Sequence, residues 1–406
     1  MKNFDPCAAM ASIRHEFGEH GGVNMSIEAS TTFTVMHAET MPEIFSGHVG
    51  PETGGCYLYG RHFNPTVFNL GRQLAAMEGA ESGYCTSSGM AAIASSLLQV
   101  CSHGDHVVAS NTLYGGTYAL LKDYLPRISG IRTQFVDIRN PENIRAAITN
   151  RTKAIYVESL ANPTLVCADI PQIAAVAKEF GLKLIVDNTF TPMIFSPLKL
   201  GADIVVHSLT KYINGASDII GGAILGSKEF IGSLMDLHQG SLMLLGPTMD
   251  PEVAFRVHMR LPHLAIRMKE HASRAMYFAE RLSARGLNVI YPGLKRHPQH
   301  ELFQALSHPE FGFGGIFALD AGTEARANQL MEHLQLEAGF GFIAVSLGYF
   351  ETLMSCSGSS TSSELSEEEK RMSGITPGLI RFSIGLTGAV EQRWEQMERG
   401  LQAIGL

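Results

Sequence analysis

From about residue 61 onward, short apolar runs alternate with stretches whose apolar residues recur every three or four positions. The runs His106–Ser110, Gln134–Asp137, Ala154–Glu158, Lys183–Asp187, Asp203–His207 and Gly221–Leu225 predict strands. The periodic stretches Val67–Met77, Gly89–Gln99, Asn143–Thr149 and Ile170–Phe180 predict helices before and between them. Strand then helix, repeated, predicts a mostly parallel sheet covered on both faces, because only strands buried on both sides are apolar without alternation. In such a sheet ligands gather at the strand C-termini.

A second pattern follows. Glu252–Arg285 reads as one long helix interrupted at Pro262, whose ring cannot continue a helix. Beyond it, Asn288–Tyr291, Gly315–Leu319, Ile343–Ser346 and Leu379–Gly385 predict strands, and Thr323–Leu334 and Val390–Ala403 helices. The fold expected is α/β throughout, with a large domain at 61–258 built on the mostly parallel sheet and a smaller C-terminal α/β domain at 259–406. Residues 1–60 show little periodicity and read as a disordered leader or as an arm against a neighbouring subunit. The serine-rich run Ser355–Ser363 reads as a flexible loop, or as a mobile segment near a bound substrate.

A chain of 406 residues exceeds one ordinary core, and 45% hydrophobic with 17% charged residues is a globular composition. No run of about 18 apolar residues and no basic-then-apolar leader is present, so a cytoplasmic protein away from membranes is expected. A net charge of −8 without a Lys/Arg cluster argues against nucleic acid. The six cysteines lack a C-x-x-C pair and the sixteen histidines lack a metal-ligand spacing, so neither a disulfide framework nor a metal site is expected.

Chemistry concentrates at the predicted strand ends. Lys211 follows the run Asp203–His207 with two hydroxyls, Ser208 and Thr210, just before it. An ordinary surface lysine would fit that position too, but Asp187 closes the neighbouring run. A lysine able to form an imine, hydroxyls able to bind a phosphate and an acid for a ring nitrogen describe a pyridoxal 5'-phosphate site. Asp187 could instead cap a turn with Asn188 and Thr189. The turn Thr86-Ser87-Ser88-Gly89-Met90 opens a helix and offers backbone N–H groups to a phosphate, although a simple N-cap looks the same. Tyr114, ahead of Gly115-Gly116, is placed to stack on a flat cofactor and donate a proton, or merely to pack. Tyr59 and Arg61 suit a phosphate dianion. Arg381 interrupts an apolar strand, which is costly unless it meets an anion such as an amino-acid carboxylate or a structural acid.

Over nearly its whole length the chain resembles the pyridoxal-phosphate enzymes of cysteine and methionine metabolism, and among them the plant-type methionine γ-lyases. The likeness runs through residues 13–22, Arg61–Thr66, Cys85–Met90, Thr112–Thr117, Asp187–Thr189, Ser208–Lys211, Gly240–Met249 and Ala344–Ser363. It implies the fold-type I pyridoxal-phosphate transferase architecture with a seven-stranded sheet. Lys211 would be the Schiff-base lysine, Asp187 the partner of the ring nitrogen and Tyr114 the stacked acid. Ser88, Gly89, Met90, Ser208 and Thr210 would lie at the phosphate, Glu158 and Asn162 at the ring, and Thr189 would also bind the cofactor. Ser346 and Arg381 would take the substrate carboxylate. Tyr59 and Arg61 would reach the phosphate of a neighbouring subunit in a homotetramer built as a dimer of dimers with shared sites.

The expected reaction is γ-elimination of a γ-substituted L-amino acid, with methionine first. Gly116 stands where similar bacterial methionine γ-lyases carry cysteine, and Gly240-Ser241 where they carry Lys-Asp. After Ser346-Leu347-Gly348 the family's His-Pro-Ala-Ser pattern gives way to the serine-rich run. Canavanine, cystathionine or homocysteine as substrate, or thiol transfer to an O-acylhomoserine, stay open at this point.

Overall fold

The computed structural model describes residues 4–13, 18, 20–50, 53, 57–358 and 365–406. Seven strands form the larger sheet: β1 Ser82–Thr86, β2 His106–Ser110, β3 Arg132–Val136, β4 Thr152–Glu158, β5 Lys183–Asp187, β6 Ile204–Ser208 and β7 Gly222–Gly226. Their order is β1-β7-β6-β5-β4-β2-β3. Neighbours from β6 to β3 pair in parallel, while β7 runs antiparallel to both β6 and β1. Alternate residues of each strand feed two cores. Ile155, Val157, Val186 and Val205 pack on one face, and Tyr156, Ile185, Ile204 and Val206 on the other, all essentially inaccessible to water. Burial on both faces explains the unbroken apolar runs in the sequence.

β1 was not expected, and its composition explains why. Gly83 sits opposite Gly71 of the helix Pro65–Glu78, where a Cβ on Gly71 would lie 2.6 Å from the Gly83 carbonyl oxygen. Helix and strand touch backbone to backbone, so the strand carries glycine where an apolar side chain would have announced it. The helix itself begins as its sequence dictates. The Asn64 side chain accepts hydrogen bonds from the Thr66 and Val67 amides, Pro65 fills the first turn, and Gly79 ends it at φ 67°.

The smaller sheet contains β8 Asn288–Ile290, β9 Ile316–Asp320, β10 Phe342–Ile343, β11 Leu353–Cys356 and β12 Leu379–Ser383, in the order β10-β11-β12-β9-β8. Helices Leu264–Ala284, Glu324–Leu336 and Val390–Ala403 pack on it around Phe278, Phe317, Phe340 and Phe382. The long predicted helix does break at Pro262, into Pro251–Arg260, a 3-10 turn Leu261–His263, and Leu264–Ala284.

Three expectations change. The strand expected over Ile343–Ser346 shrinks to β10: the Ala344 amide still bonds to the Met354 carbonyl, but Val345 swings out into solvent and Ser346 leaves the sheet. The serine-rich run is no loop at its start, because Ser355 and Cys356 complete β11 opposite Arg381 and Ile380 and are buried. Its residues 359–363 lie outside those described. The described part of the first 60 residues includes the short α-helices Pro6–Ser12 and Thr40–Phe45. The Thr66 hydroxyl accepts from the Glu28 amide at 2.9 Å, and Asn64 Nδ2 donates to the Glu28 carbonyl, which fastens part of this segment to its own chain.

A Cβ on Gly222 would meet the Ser88 carbonyl oxygen at 2.2 Å and Thr86 Oγ1 at 2.6 Å. Both neighbours are held by the sheet and the helix cap, so Gly222→Ala is expected to lower unfolding stability by about 1–3 kcal/mol. The urea midpoint measures it, and an unchanged midpoint contradicts this packing.

Candidate active site

The C-terminal ends of β4, β5 and β6 open into a cleft of about 260 Å³. Glu158 and Asp187 close their strands as register partners, and Ser208 closes the next. Past Ser208 the chain turns back, pinned by the Leu209 amide on the Gly221 carbonyl, and delivers Lys211 to the cleft. Across it lie Tyr114, the helix start Ser88-Gly89-Met90, and Arg381 from the small domain. Asn162, Thr189 and Thr210 complete the expected set. Ser346 reaches in from the small domain and accepts from Lys211 Nζ at 3.1 Å.

Two acids stand side by side without a cation. Glu158 accepts from the Tyr114 amide at 2.6 Å and the Asn162 amide at 3.1 Å, yet burial and the neighbouring Asp187 push its pKa up to about 8. Burial also raises the Asp187 pKa, against the Thr189 amide at 2.9 Å and the Tyr156 phenol at 3.4 Å, which donate to its two oxygens. A cationic ring nitrogen at this point would offset both penalties.

On the other side the charges are positive. Burial, with the Arg381 guanidinium second, brings the Lys211 pKa down to about 8. Arg381 itself is buried within β12. Its guanidinium donates to Asn162 Oδ1 at 3.2 Å and the Ser346 carbonyl at 2.8 Å, while Nε has no partner. Burial lowers its pKa to about 10. Among the described residues no carboxylate pairs with it, so the structural salt bridge weighed from sequence is not the reason for this arginine. An unneutralised buried guanidinium facing a cleft is a receptor for an anion.

The phosphate end fits as well. The Ser88 hydroxyl caps the Ala91 amide at 3.0 Å, leaving the Gly89 and Met90 amides with no acceptor inside the helix Gly89–Val100. Ser208 packs so closely that a Cβ on Gly89 would fall 2.7 Å from its Cβ, so only glycine lets this helix end approach the strand. Thr210 differs from expectation in one respect: its hydroxyl is already engaged with the Gly221 backbone. Anion-binding amides, a ring-sized gap and two uncompensated acids together fit pyridoxal 5'-phosphate.

Tyr59 and Arg61 do not line the cleft. The Arg61 guanidinium donates to the Met243 carbonyl and lies 5.6 Å from the Tyr59 ring centre. Sequence reasoning missed the apolar lining from Ile93, Leu160, Phe190, Ile220, Val345 and Leu347. Adjacency could have found part of it, since Phe190 follows Thr189 and Val345 and Leu347 flank Ser346. Tyr156, buried beneath Asp187, was missed because its strand reads as uniform core.

The family described as Cys/Met metabolism PLP-dependent enzyme matches residues 8–401. The chain belongs to this family. It is 58% identical to a methionine gamma-lyase of Arabidopsis thaliana over 97% of this chain and 90% of the other. An L-methionine gamma-lyase of Fusobacterium nucleatum is 39% identical over 95% of each chain. Among solved structures, a chain described as an O-acetylhomoserine (thiol)-lyase from Campylobacter jejuni superposes with a TM-score of 0.90 at 29% identity, covering 98% of this chain and all of that one, and it carries a pyridoxyl-lysine phosphate. The fold is that of the pyridoxal-phosphate-dependent family, and the enzyme uses that cofactor.

The lowered Lys211 pKa carries a sign that can be tested. Only the neutral amine attacks an aldehyde, and the neutral fraction grows as pH rises. Cofactor uptake by the apoenzyme should therefore rise with pH and level off above about 8, not near the 10.5 of an ordinary lysine. Absorbance-monitored reconstitution from pH 6 to 11 reads the midpoint, and a midpoint above 10 contradicts a desolvated Lys211.

Proposed function

We propose that this protein is a carbon–sulfur lyase that performs γ-elimination on L-methionine, releasing methanethiol, 2-oxobutanoate and ammonia. The observation that carries the reading is a desolvated lysine amine and an unpaired buried arginine facing one cleft. The amine is placed for the Cα proton, and the guanidinium for the α-carboxylate of the same amino acid.

Asp187 and Glu158 would hold the cofactor ring, and the Gly89 and Met90 amides with Ser208 its phosphate. Bound there, pyridoxal 5'-phosphate supplies an aldehyde carbon for amines and a ring that withdraws electrons from the substrate α-carbon. Arg381 and Ser346 orient the substrate carboxylate. Lys211 Nζ, near neutrality, takes the Cα proton. A second proton leaves Cβ, the electron pair left there forms the Cβ=Cγ bond as the Cγ–S bond breaks, and the Tyr114 phenol would donate a proton to the departing sulfur. Water is restricted by the apolar wall of Leu160, Phe190 and Leu347. That wall also favours a thioether: the charged residues lining the cleft are Glu158, Asp187, Lys211 and Arg381, all engaged in the roles above, so the guanidinium end of canavanine or the second amino acid of cystathionine would find no counter-charge.

The same reading makes the assembly a homotetramer of two dimers with Tyr59 and Arg61 completing the partner's phosphate site. It is supported by the exposure of Val23, Met36, Leu244 and Leu245, apolar residues that a second subunit would cover. The five described cysteines are free thiols, which supports a cytoplasmic enzyme. Among the described residues no helix is long and apolar enough to cross a membrane.

Purified enzyme should release 2-oxobutanoate from methionine with no thiol acceptor present. A requirement for sulfide or a thiol would make it a transferase instead. Tyr114→Phe should lower turnover about 100- to 10,000-fold, the usual contribution of a general acid. A shared site makes a separate statement. Co-expressed Arg61→Ala and Lys211→Ala chains, each inactive alone, should regain activity because each mixed dimer contains an intact site. If the mixture stays as inactive as its parents, Arg61 serves only its own chain.

A further inference from the structure

Tyr114 is 44% exposed. Its ring rests on Gly116, where a Cβ would lie 2.7 Å from Tyr114 Cε1. The direction of the phenol is therefore decided by the backbone of the turn that carries it, from Asn111 to Tyr118. Within the large domain that turn is held at its start by the Asn111 amide on the Val136 carbonyl, the Thr112 amide on Ser110 Oγ and the buried Leu113, and at the tyrosine by the Tyr114 amide on Glu158 and the Tyr118 amide on the Tyr114 carbonyl at 2.9 Å. After one α-helical turn, Gly115–Ala119, the chain widens into a π-helical turn at Leu120–Tyr124, a local irregularity that lateral contacts must support.

Leu120, Leu121 and Leu125 pack this stretch on the core of the large sheet, and its outer face is held from the small domain. The helix Glu367–Met372 presents Glu369, whose Oε1 accepts from the Tyr118 phenol at 2.5 Å and from Lys122 Nζ at 2.6 Å. At the other end of the turn, the Ser373 hydroxyl donates to the Asn111 carbonyl at 3.1 Å. Between these two points Tyr118 is buried against Leu365, Ile375, Leu379 and Ala318, all from the small domain, and its ring packs on Phe135 with centroids 4.4 Å apart. Glu369 is held in turn, since its Oε2 accepts from the Ser366 amide in a capping box. A polar contact at each end and an apolar plug in the middle form a clamp.

We propose that Glu369 and Ser373 are positioning residues for Tyr114, so that contact between the two domains sets the aim of the catalytic phenol. The inference rests on the assignment of Tyr114 as the acid of the elimination step. Removing the clamp leaves Lys211, Asp187 and Arg381 in place, because none of them touches the turn's outer face. Proton removal at Cα should then survive while departure of the γ-substituent slows.

The test separates these two steps. In D2O, exchange of the methionine Cα hydrogen, followed by proton NMR, reads the Lys211 step, and 2-oxobutanoate release reads the elimination. Glu369→Ala should lower kcat for release about tenfold, as a misaimed group does, with Cα exchange and KM within about twofold of the parent. Glu369→Gln, which keeps an acceptor for the Tyr118 phenol, should retain at least about half of kcat on the same scale. Ser373→Ala should move kcat in the same direction by a smaller factor. Ser366→Ala removes only the hydroxyl that caps the Glu369 amide, keeps the backbone amide that holds Glu369 Oε2, and should leave both rates unchanged.

The clamp is overturned if Glu369→Ala releases product at the parental rate, if exchange and release fall together, or if Ser366→Ala reproduces the loss. Its failure is distinct from failure of the Tyr114 assignment. A fully active Tyr114→Phe sinks the latter, whereas an impaired Tyr114→Phe beside a fully active Glu369→Ala sinks the clamp alone.

Discussion

Uncompensated charge gathered at one edge of a parallel sheet is the constraint on which the rest of this structure depends. Glu158 and Asp187 end adjacent strands as register partners, so their carboxylates are forced together by the sheet itself. Lys211 and Arg381 face them from a turn and from the other domain. None of these four neutralises another in an ion pair among the described residues. Each is shifted toward its neutral form by burial. Such an arrangement weakens the folded protein and makes sense only if ligands supply the missing counter-charges. A cationic ring for the acids and a carboxylate for the arginine would do so.

Holding charges apart in this way requires a rigid floor. Beneath Asp187, the hydroxyl of Ser159 contacts both the Asp187 carbonyl and the Thr191 hydroxyl, and Thr191 donates to Asn188 Oδ1. Asn188 Nδ2 donates to Glu78 Oε1, the same oxygen that His207 Nε2 meets at 2.8 Å. All five side chains are buried, and they span helix Pro65–Glu78 and the ends of β4, β5 and β6. A connected buried network of this kind fixes one geometry, since any displacement strands polar groups away from water. The ends of three strands are thereby locked under the site, whereas the cleft above stays open.

The small domain does more than cover that cleft. It contributes Arg381 from β12 and Ser346 from the bend after β10, and its helix Glu367–Met372 grips the turn bearing Tyr114. Residues from the two sheets therefore meet in the cleft as well as at the outer face of the Tyr114 turn. Under the proposed function, substrate affinity and the aim of the acid would share one contact surface between the two sheets.

Much of this was legible before any coordinates. The unbroken apolar runs gave β2, β4 and β5 nearly residue for residue, because strands buried on both faces have no alternative pattern, and Pro262 marked the break in the long helix. Lys211, Asp187, Tyr114 and Arg381 stood out because a polar residue closing or interrupting an apolar run is unusual whatever surrounds it. β1 escaped because close backbone contact demanded glycine, and β11 because serines that look like loop are buried beside Arg381. The sequence by itself determined which groups lie at strand ends, since strand ends are a local property of the chain. Only the tertiary structure decided which of them share an environment: that no acid among the described residues pairs with Arg381, that Asp187 raises the pKa of Glu158, and that Glu369 reaches Tyr118 across 251 positions of chain. Burial and charge–charge energy depend on distances in space, which spacing along a chain does not fix.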